Sequence, residues 1–302
     1  MFKHHSLALA LALVVSSLGL ANVASATTSP PVPQCIVSLS PTATDTLFAI
    51  GAGSQVQGVD KSSTYPAAAK ALGQKHVIDA LNPSVEGLLG LCQTSSSHPS
   101  TKPDLVVISY NPSNLQQKLQ AVGVKVVEQN AATSVSQALS QILQLGALTG
   151  HVHKASALAS KLSTTINRAI GSIPAHKHHR ISVYYEVSTN PYYSVTSTTF
   201  VGSIFKDMGV TDIADAAATS ADAGYPSLST EYILHANPSF IALAGDASPA
   251  SVATRPGFST LTAVKKGDVI ELDADVASQW GPRFGSLVTQ LAKEVRHVLA
   301  QK

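Results

Sequence analysis

Residues 36–53 read IVSLSPTATDTLFAIGAG, and the order of residue types in that stretch decides the fold class. IVSLS is a short run of β-branched and apolar residues, the composition of a strand buried on both faces. Ser40 offers a side-chain oxygen to cap a helix, Pro41 fits the first helical position, and Gly51 marks the helix end. A strand therefore feeds a helix directly. Equivalent runs are VQGVD at 56–60, DLVVIS at 104–109 and KVVEQ at 125–129. They recur as ISVYYEV at 181–187, SFIALA at 239–244 and DVIELDA at 268–274, with a closing helix over 282–300. Strands alternating with helical stretches predict an α/β chain with parallel sheets in two Rossmann-like lobes.

Between the two groups of strands the pattern is helical, over 135–148 and again over 152–173, with Thr149-Gly150 as the break and Pro174 as the stop. In the second helix Ala155, Leu158, Leu162, Ile166, Ile170 and Ile173 recur at three- and four-residue steps, the apolar stripe of an amphipathic helix. At a rise of 1.5 Å per residue such a helix spans roughly 30 Å, enough to cross from one lobe to the other. The expected organisation is a signal peptide over 1–26, an N-terminal lobe over 27–150, an inter-lobe helix over 151–175 and a C-terminal lobe over 176–302.

The signal-peptide reading rests on Lys3, the apolar run from Leu7 to Val15 and the small-residue stop Ala24-Ser25-Ala26, and it implies a periplasmic or secreted protein. No Cys stands at that stop, which argues against a lipid anchor, and no later run has the roughly 20 unbroken apolar residues of a spanning helix. In an oxidising compartment the even cysteine count, Cys35 and Cys92, favours a bridge over two separate buried thiols. The formal net charge is only +2, with Lys3 contributing one, so nothing in the charge balance points to nucleic acid, which would need a basic face.

The halves echo each other. Ser84-Val85-Glu86 opens a short apolar helix that leads to the run beginning at Pro103, and Ser229-Thr230-Glu231 opens another that leads to the run beginning at Pro238. The first copy is longer by an insertion placed at CQTSSSHPST, 92–101.

Taken in order, IVSLSPTATDTLFAIGAG, STYP at 63–66, KPDLVVIS, the inter-lobe helix, YYEVSTNPYYSV, GYPSLSTEYILHANPSFIALAG and WGPRFGSLVTQLAKEV resemble a known family. It is that of the periplasmic binding proteins of cobalamin, ferric-siderophore and haem importers, and the chain is most similar to the cobalamin-binding branch. Asp45 stands where the family commonly has Glu, and Ala80 where cobalamin binders can carry an aromatic residue. The resemblance implies two lobes joined by one long helix, a cleft for a metal chelate and no enzymatic activity. It also implies a monomer that hands its cargo to the two transmembrane subunits of an ATP-driven permease. One exposed glutamate per lobe, here Glu86 and Glu231, would dock on permease arginines.

In open α/β lobes, ligands sit beyond the C-terminal ends of the strands. The aromatic residues there are Tyr65, Tyr110, Tyr192, Tyr193, Tyr225 and Trp280, whose rings with one polar tip suit a large, flat, partly apolar chelate. The resemblance supports Tyr65, Tyr193 and Tyr225 most directly. Arg283, in the first turn of the last helix, opposes the positive end of the helix dipole. It either meets an acidic group of the ligand or pairs with a carboxylate such as Asp275, while Arg255 reads as a surface residue. The cluster His176, His178, His179 and the pair His151, His153 lack carboxylates or thiols at metal-site spacing, so no resident metal or cofactor is expected. Cobalamin is preferred to a ferric siderophore, which would favour cleft arginines, and to haem, which would favour an axial residue such as Tyr110. A secreted hydrolase would need a GxSxG, HExxH or phosphate-loop motif, which the chain lacks. An adhesin on the same fold is the remaining alternative.

Overall fold

Ser40 is the hinge between the first strand and the first helix. Its side chain accepts a hydrogen bond from the Ala43 amide at 3.3 Å, so β1 (Ile36–Leu39) passes into α1 (Pro41–Ala49) through one capping residue. A computed structural model of the chain describes residues 32–92, 101–174 and 181–301. The expected signal peptide, most of the expected 92–101 insertion and the histidines of the 176–179 cluster lie outside the described residues.

The N-terminal lobe continues with β2 (Val56–Val59), α2 (Ala67–Lys75), α3 (Val85–Gly90), β3 (Leu105–Ile108), α4 (Leu115–Ala121) and β4 (Lys125–Glu128). Its four strands are parallel, in the order β2-β1-β3-β4. Two helices follow, α5 (Val135–Thr149) and α6 (Val152–Gly171). The C-terminal lobe comprises β5 (Ser182–Glu186), β6 (Tyr192–Tyr193), α7 (Phe200–Asp207), β7 (Thr211–Asp212), β8 (Ser227–Leu228), α8 (Thr230–Ala236) and β9 (Phe240–Leu243). It ends with α9 (Pro249–Ala253), α10 (Thr262–Lys266), β10 (Val269–Glu271), α11 (Ala274–Ala277) and α12 (Phe284–Ala300). Its parallel sheet runs β7-β5-β9-β10, the same winding as β2-β1-β3-β4, and a separate antiparallel ribbon pairs β6 with β8.

Each central strand is apolar on both faces because both are covered. Ile36 and Val107 face the core shared with the helices, while their neighbours Val37 and Val106 face the outer core of the same lobe. In β5, Val183 and Tyr185 face the shared core and Tyr184 the outer one, the period of two that a strand imposes. The shared core runs unbroken from Leu47 of α1 through Ile166 of α6 to Phe205 of α7 and Leu291 of α12, so both lobes rest on one apolar body.

The α5–α6 turn uses Gly150 at φ +77°, a left-handed residue. A Cβ on Gly146 would collide with Ala155, which is why these helices pack closely. The buried face of α6 is Ala155, Ala159, Leu162, Ile166 and Ala169, while Leu158 and Ile170 of the expected stripe are half-buried. The stripe is rotated because small residues let α5 and α12 come near. Cys35, just before β1, is bonded to Cys92, just beyond α3, with Cα atoms 6.1 Å apart, so the expected bridge is present. Among the described residues no helix is long and apolar enough to cross a membrane.

Candidate functional site

Both sheets reverse their strand order next to the first strand of the lobe, between β1 and β3 and between β5 and β9. Loops leave in opposite directions there and open a crevice at the C-terminal edge. Each crevice holds a pocket. Ser40 after β1 and Ser109 after β3 line a polar one of about 210 Å³, together with Thr42, Ser62, Asp275 and Gln279. Val187 after β5 and Ala244 after β9 line an apolar one of about 170 Å³, together with Val195, Phe200 and Tyr225. Ser278, Gln279 and Trp280 belong to both, so the two form one cleft between the lobes.

Four of the tyrosines expected at the cleft are exposed: Tyr65 (47%) and Tyr110 (44%) on the N-terminal lobe, Tyr193 (41%) and Tyr225 (47%) on the C-terminal lobe. They are the only exposed aromatic side chains among the described residues. Tyr193 pairs with Ser227 in the β6–β8 ribbon, and Tyr225 lies two residues before Ser227, so the alternation of the strand puts both tyrosines on one face. Burial pushes the Tyr225 phenol above its ordinary value, which keeps it a neutral hydrogen-bonding group. The Tyr110 hydroxyl donates to the Leu81 carbonyl at 3.2 Å, and Leu81 itself is 70% exposed. That leucine is an exposed apolar side chain which the reading of aromatic residues passed over.

The segment from α11 into α12 closes the cleft and ties the lobes together. Trp280 donates its indole N–H to Gln141 of α5 at 2.7 Å. Arg283 pairs with Asp45 of α1, Nε to Oδ2 at 2.9 Å, and its guanidinium lies 4.2 Å from the centre of the Tyr65 ring. The expected carboxylate partner, Asp275, instead accepts from Thr64 at 3.1 Å. Arg283 is thus held by a buried carboxylate and a ring. Burial raises the Asp45 carboxyl above its ordinary range, opposed by the hydrogen bond and charge of Arg283. Beneath the Tyr65 loop, the Ser63 hydroxyl donates to Asp60 and lies 2.9 Å from the Thr44 hydroxyl, which in turn lies 2.9 Å from the Ser38 hydroxyl, a buried polar chain that fixes the loop.

Tyr192 has a different environment from Tyr193, because neighbours in a strand face opposite ways. Its ring packs 5.7 Å from that of Phe258 and lies 5.3 Å below the Arg255 guanidinium, in the outer core of the lobe. Arg255, expected on the surface, has a side chain only 10% exposed and grips Glu186, itself 1% exposed, with both guanidinium nitrogens, one at 2.8 Å. A buried carboxylate at the end of β5 needs such a partner. The pairing spans 69 residues and carries no local signature.

Glu86 and Glu231 stand alike in the two lobes. Each is exposed in the first turn of its helix, behind Ser84 or Ser229, whose side chain caps the Gly87 or Tyr232 amide. Each carboxyl is held below its ordinary value by its own backbone amide and then by the capping serine. His151 turns its ring to the Thr149 carbonyl at 2.9 Å, and among the described residues no group of three or more His, Cys, Asp or Glu could hold a metal ion.

Comparison with known proteins gives the same picture. The family model described as "Periplasmic binding protein" matches residues 36–276. An uncharacterised ABC transporter substrate-binding lipoprotein of Bacillus subtilis is 28% identical, over 87% of this chain and 80% of its own. A cobalamin-binding protein of Halobacterium salinarum is 26% identical, over 86% of this chain and 69% of its own. The crystal structure of a possible iron-binding, periplasmic solute-binding protein from Staphylococcus epidermidis superposes with a TM-score of 0.71 at 26% identity, covering 88% of this chain and 99% of that one. The twofold α/β winding, the single connecting helix and the match along most of the chain agree, and the chain belongs to the periplasmic binding protein family.

Proposed function

We infer that this chain is the extracytoplasmic solute-binding component of an ABC importer and that its cargo is a corrinoid of the cobalamin type. The observation that carries the reading is the character of the cleft. Exposed Tyr225 lines its apolar pocket, exposed Tyr110 directly follows Ser109 of its polar pocket, and the two pockets are lined by no Lys or Arg and a single carboxylate, Asp275. Arg283 and Arg255 are committed to Asp45 and Glu186. A polyanionic ferric complex would enter such a site without a countercharge, whereas a neutral or cationic chelate needs none. Ring faces from Tyr193 and Tyr225 on one side and Tyr65 and Tyr110 on the other can cover the apolar faces of a macrocycle. Ser40, Ser62, Ser109 and Gln279 can hydrogen-bond amide groups at its edge. Pockets of about 210 and 170 Å³ are far smaller than a corrinoid, so the cargo lies across the mouth with only parts of it inside. The name of the Halobacterium relative supports the cargo, and that of the Bacillus relative supports the importer role alone.

Delivery follows from the matched helix starts. Glu86 and Glu231 place one exposed carboxylate on each lobe in the same local geometry, which suits a binding protein that straddles two transmembrane subunits with one charge contact on each. An extracytoplasmic location follows from the same role.

One observation favours a second cargo, haem. Tyr65 presents an exposed phenol under the Arg283 guanidinium, and phenol oxygen is an axial donor for ferric haem. Calorimetric titration of the purified chain with cyanocobalamin, hemin and a ferric hydroxamate decides between them. The reading requires saturable one-site binding of cyanocobalamin, tighter than either alternative. Tighter hemin binding that is lost in Tyr65→Phe would replace it.

A further inference from the structure

The Trp280 ring belongs to both halves of the cleft, since it lines the polar pocket with Ser278 and Gln279 and the apolar one with Tyr225. It is only half-buried and stands in the irregular segment between α11 and α12, so its ring needs a hold besides packing. That hold comes from α5, 139 positions earlier in the chain, where Gln141 Oε1 accepts from the indole N–H at 2.7 Å. The same side-chain amide donates to the Asn130 carbonyl at 2.8 Å, and the backbone carbonyl of Gln141 accepts from the Gln129 side chain at 3.0 Å. Gln141 is thus fixed twice to the connection that leaves β4, and Ala131 and Ala132 of that connection line the apolar pocket.

An indole N–H only donates and a backbone carbonyl only accepts, so the side chain between them must accept at one end and donate at the other. An amide does both, and its orientation is fixed, because turning it over would set N–H against N–H and oxygen against oxygen. A carboxylate would satisfy Trp280 and repel the Asn130 carbonyl, and an aliphatic side chain would satisfy neither. We propose that Gln141 is a positioning residue for cargo binding, which clamps the Trp280 ring between the two pockets and ties that wall to the β4–α5 connection. Gln141 itself lines neither pocket, so it acts through Trp280. A clamped ring meets the cargo without first losing its rotamer freedom, which strengthens binding. This inference rests on the cleft being the cargo site.

Trp280 is the chain's one tryptophan, so its fluorescence reports the clamp directly. In cargo-free Gln141→Leu, acrylamide should quench Trp280 emission more readily than in the unaltered chain, and the emission anisotropy should fall. Equal quenching overturns the clamp. Equilibrium dialysis with cyanocobalamin is the second arm, in which Gln141→Leu should bind about two- to tenfold more weakly for the one hydrogen bond lost. Trp280→Phe keeps a ring but has no N–H, and the double variant should bind no more weakly than the weaker single variant. Losses that add, or an unchanged affinity in Gln141→Leu, overturn the positioning role. If Gln141→Leu does not fold, Gln141→Glu takes its place. Its carboxyl can both donate and accept only when protonated, so quenching should rise as pH climbs through about 4, and quenching independent of pH overturns the clamp. If the unaltered chain binds no cyanocobalamin, the corrinoid reading fails, while a Trp280 loosened in Gln141→Leu still supports the clamp.

Discussion

Arg255→Ala removes the guanidinium that neutralises Glu186 at the end of β5. The side chains are 10% and 1% exposed, the pairing is two-pronged, and the guanidinium also lies 5.3 Å from the centres of both the Tyr192 and Phe258 rings. Deleting one member of a buried ion pair costs about 3–5 kcal/mol because the other charge is stranded. The lost ring contacts add about 0.5–1 kcal/mol. The variant should therefore lose about 4 kcal/mol, a fall of roughly 10 °C in Tm for a chain of this size. Urea denaturation followed by far-UV circular dichroism measures it. Replacing both partners, Glu186→Leu with Arg255→Leu, should recover most of the loss, since no charge is then left without a partner. The Val187 amide donates to the Tyr193 carbonyl at 2.9 Å, so loosening the end of β5 should also weaken cargo binding through the ribbon that carries Tyr193. A loss below about 1 kcal/mol in Arg255→Ala would refute the reasoning and make Arg255 a solvated residue.

Removing the Cys35–Cys92 bridge by Cys92→Ser with Cys35→Ser should cost roughly 4 kcal/mol, from the entropy of the loop across 57 positions that it closes, and denaturation with and without reductant checks it. Asp212 is buried, caps the Ala214 amide at 3.0 Å with one oxygen and has no hydrogen-bond partner for the other among the described residues. Burial raises its pKa well above the ordinary value, so the folded chain holds this proton to higher pH than the unfolded chain does. Stability contributed by the group is present at low pH and falls as pH rises from the unfolded value towards the folded one. Asp212→Asn keeps the capping oxygen and should gain Tm relative to the unaltered chain as pH rises above about 4, the ordinary carboxyl value, whereas a difference that does not change with pH would contradict the assignment. The double variant Glu86→Lys, Glu231→Lys should keep fold and cargo affinity but lose uptake in a reconstituted importer, and unchanged uptake would leave these residues as helix-start carboxylates only.

The strands of both sheets were legible wherever four or more apolar residues ran together, as in Ile36–Leu39 and Phe240–Leu243, because parallel strands are buried on both faces. The two-residue strands Thr211–Asp212, Tyr192–Tyr193 and Ser227–Leu228 were not, since two residues carry no periodicity. That gap had a cost at the site. With Tyr192–Tyr193 known to be a strand, the alternation alone separates the exposed Tyr193 from Tyr192 beneath Arg255. Tyr225 and Trp280 at the pocket wall were within reach of the sequence because the rule for strand ends is local. The charge pairs were not, because Arg283 meets Asp45 across 238 positions and the choice of Asp45 over Asp275 depends on how the lobes dock. Ser40, Ser109, Val187 and Ala244 follow central strands and were within reach of the same rule, but polar and small aliphatic residues at strand ends are too common to single out.

The central claim is that cargo is held between tyrosines of the two lobes. Equilibrium dialysis of cyanocobalamin against the unaltered chain and against Tyr193→Ala with Tyr225→Ala tests it most directly. The account predicts a single saturable site in the unaltered chain, and a double variant that stays folded but binds more weakly by at least 1–3 kcal/mol, about ten- to a hundredfold, for the loss of ring anchors. An unchanged dissociation constant in the double variant, or no saturable binding to the unaltered chain, would contradict it.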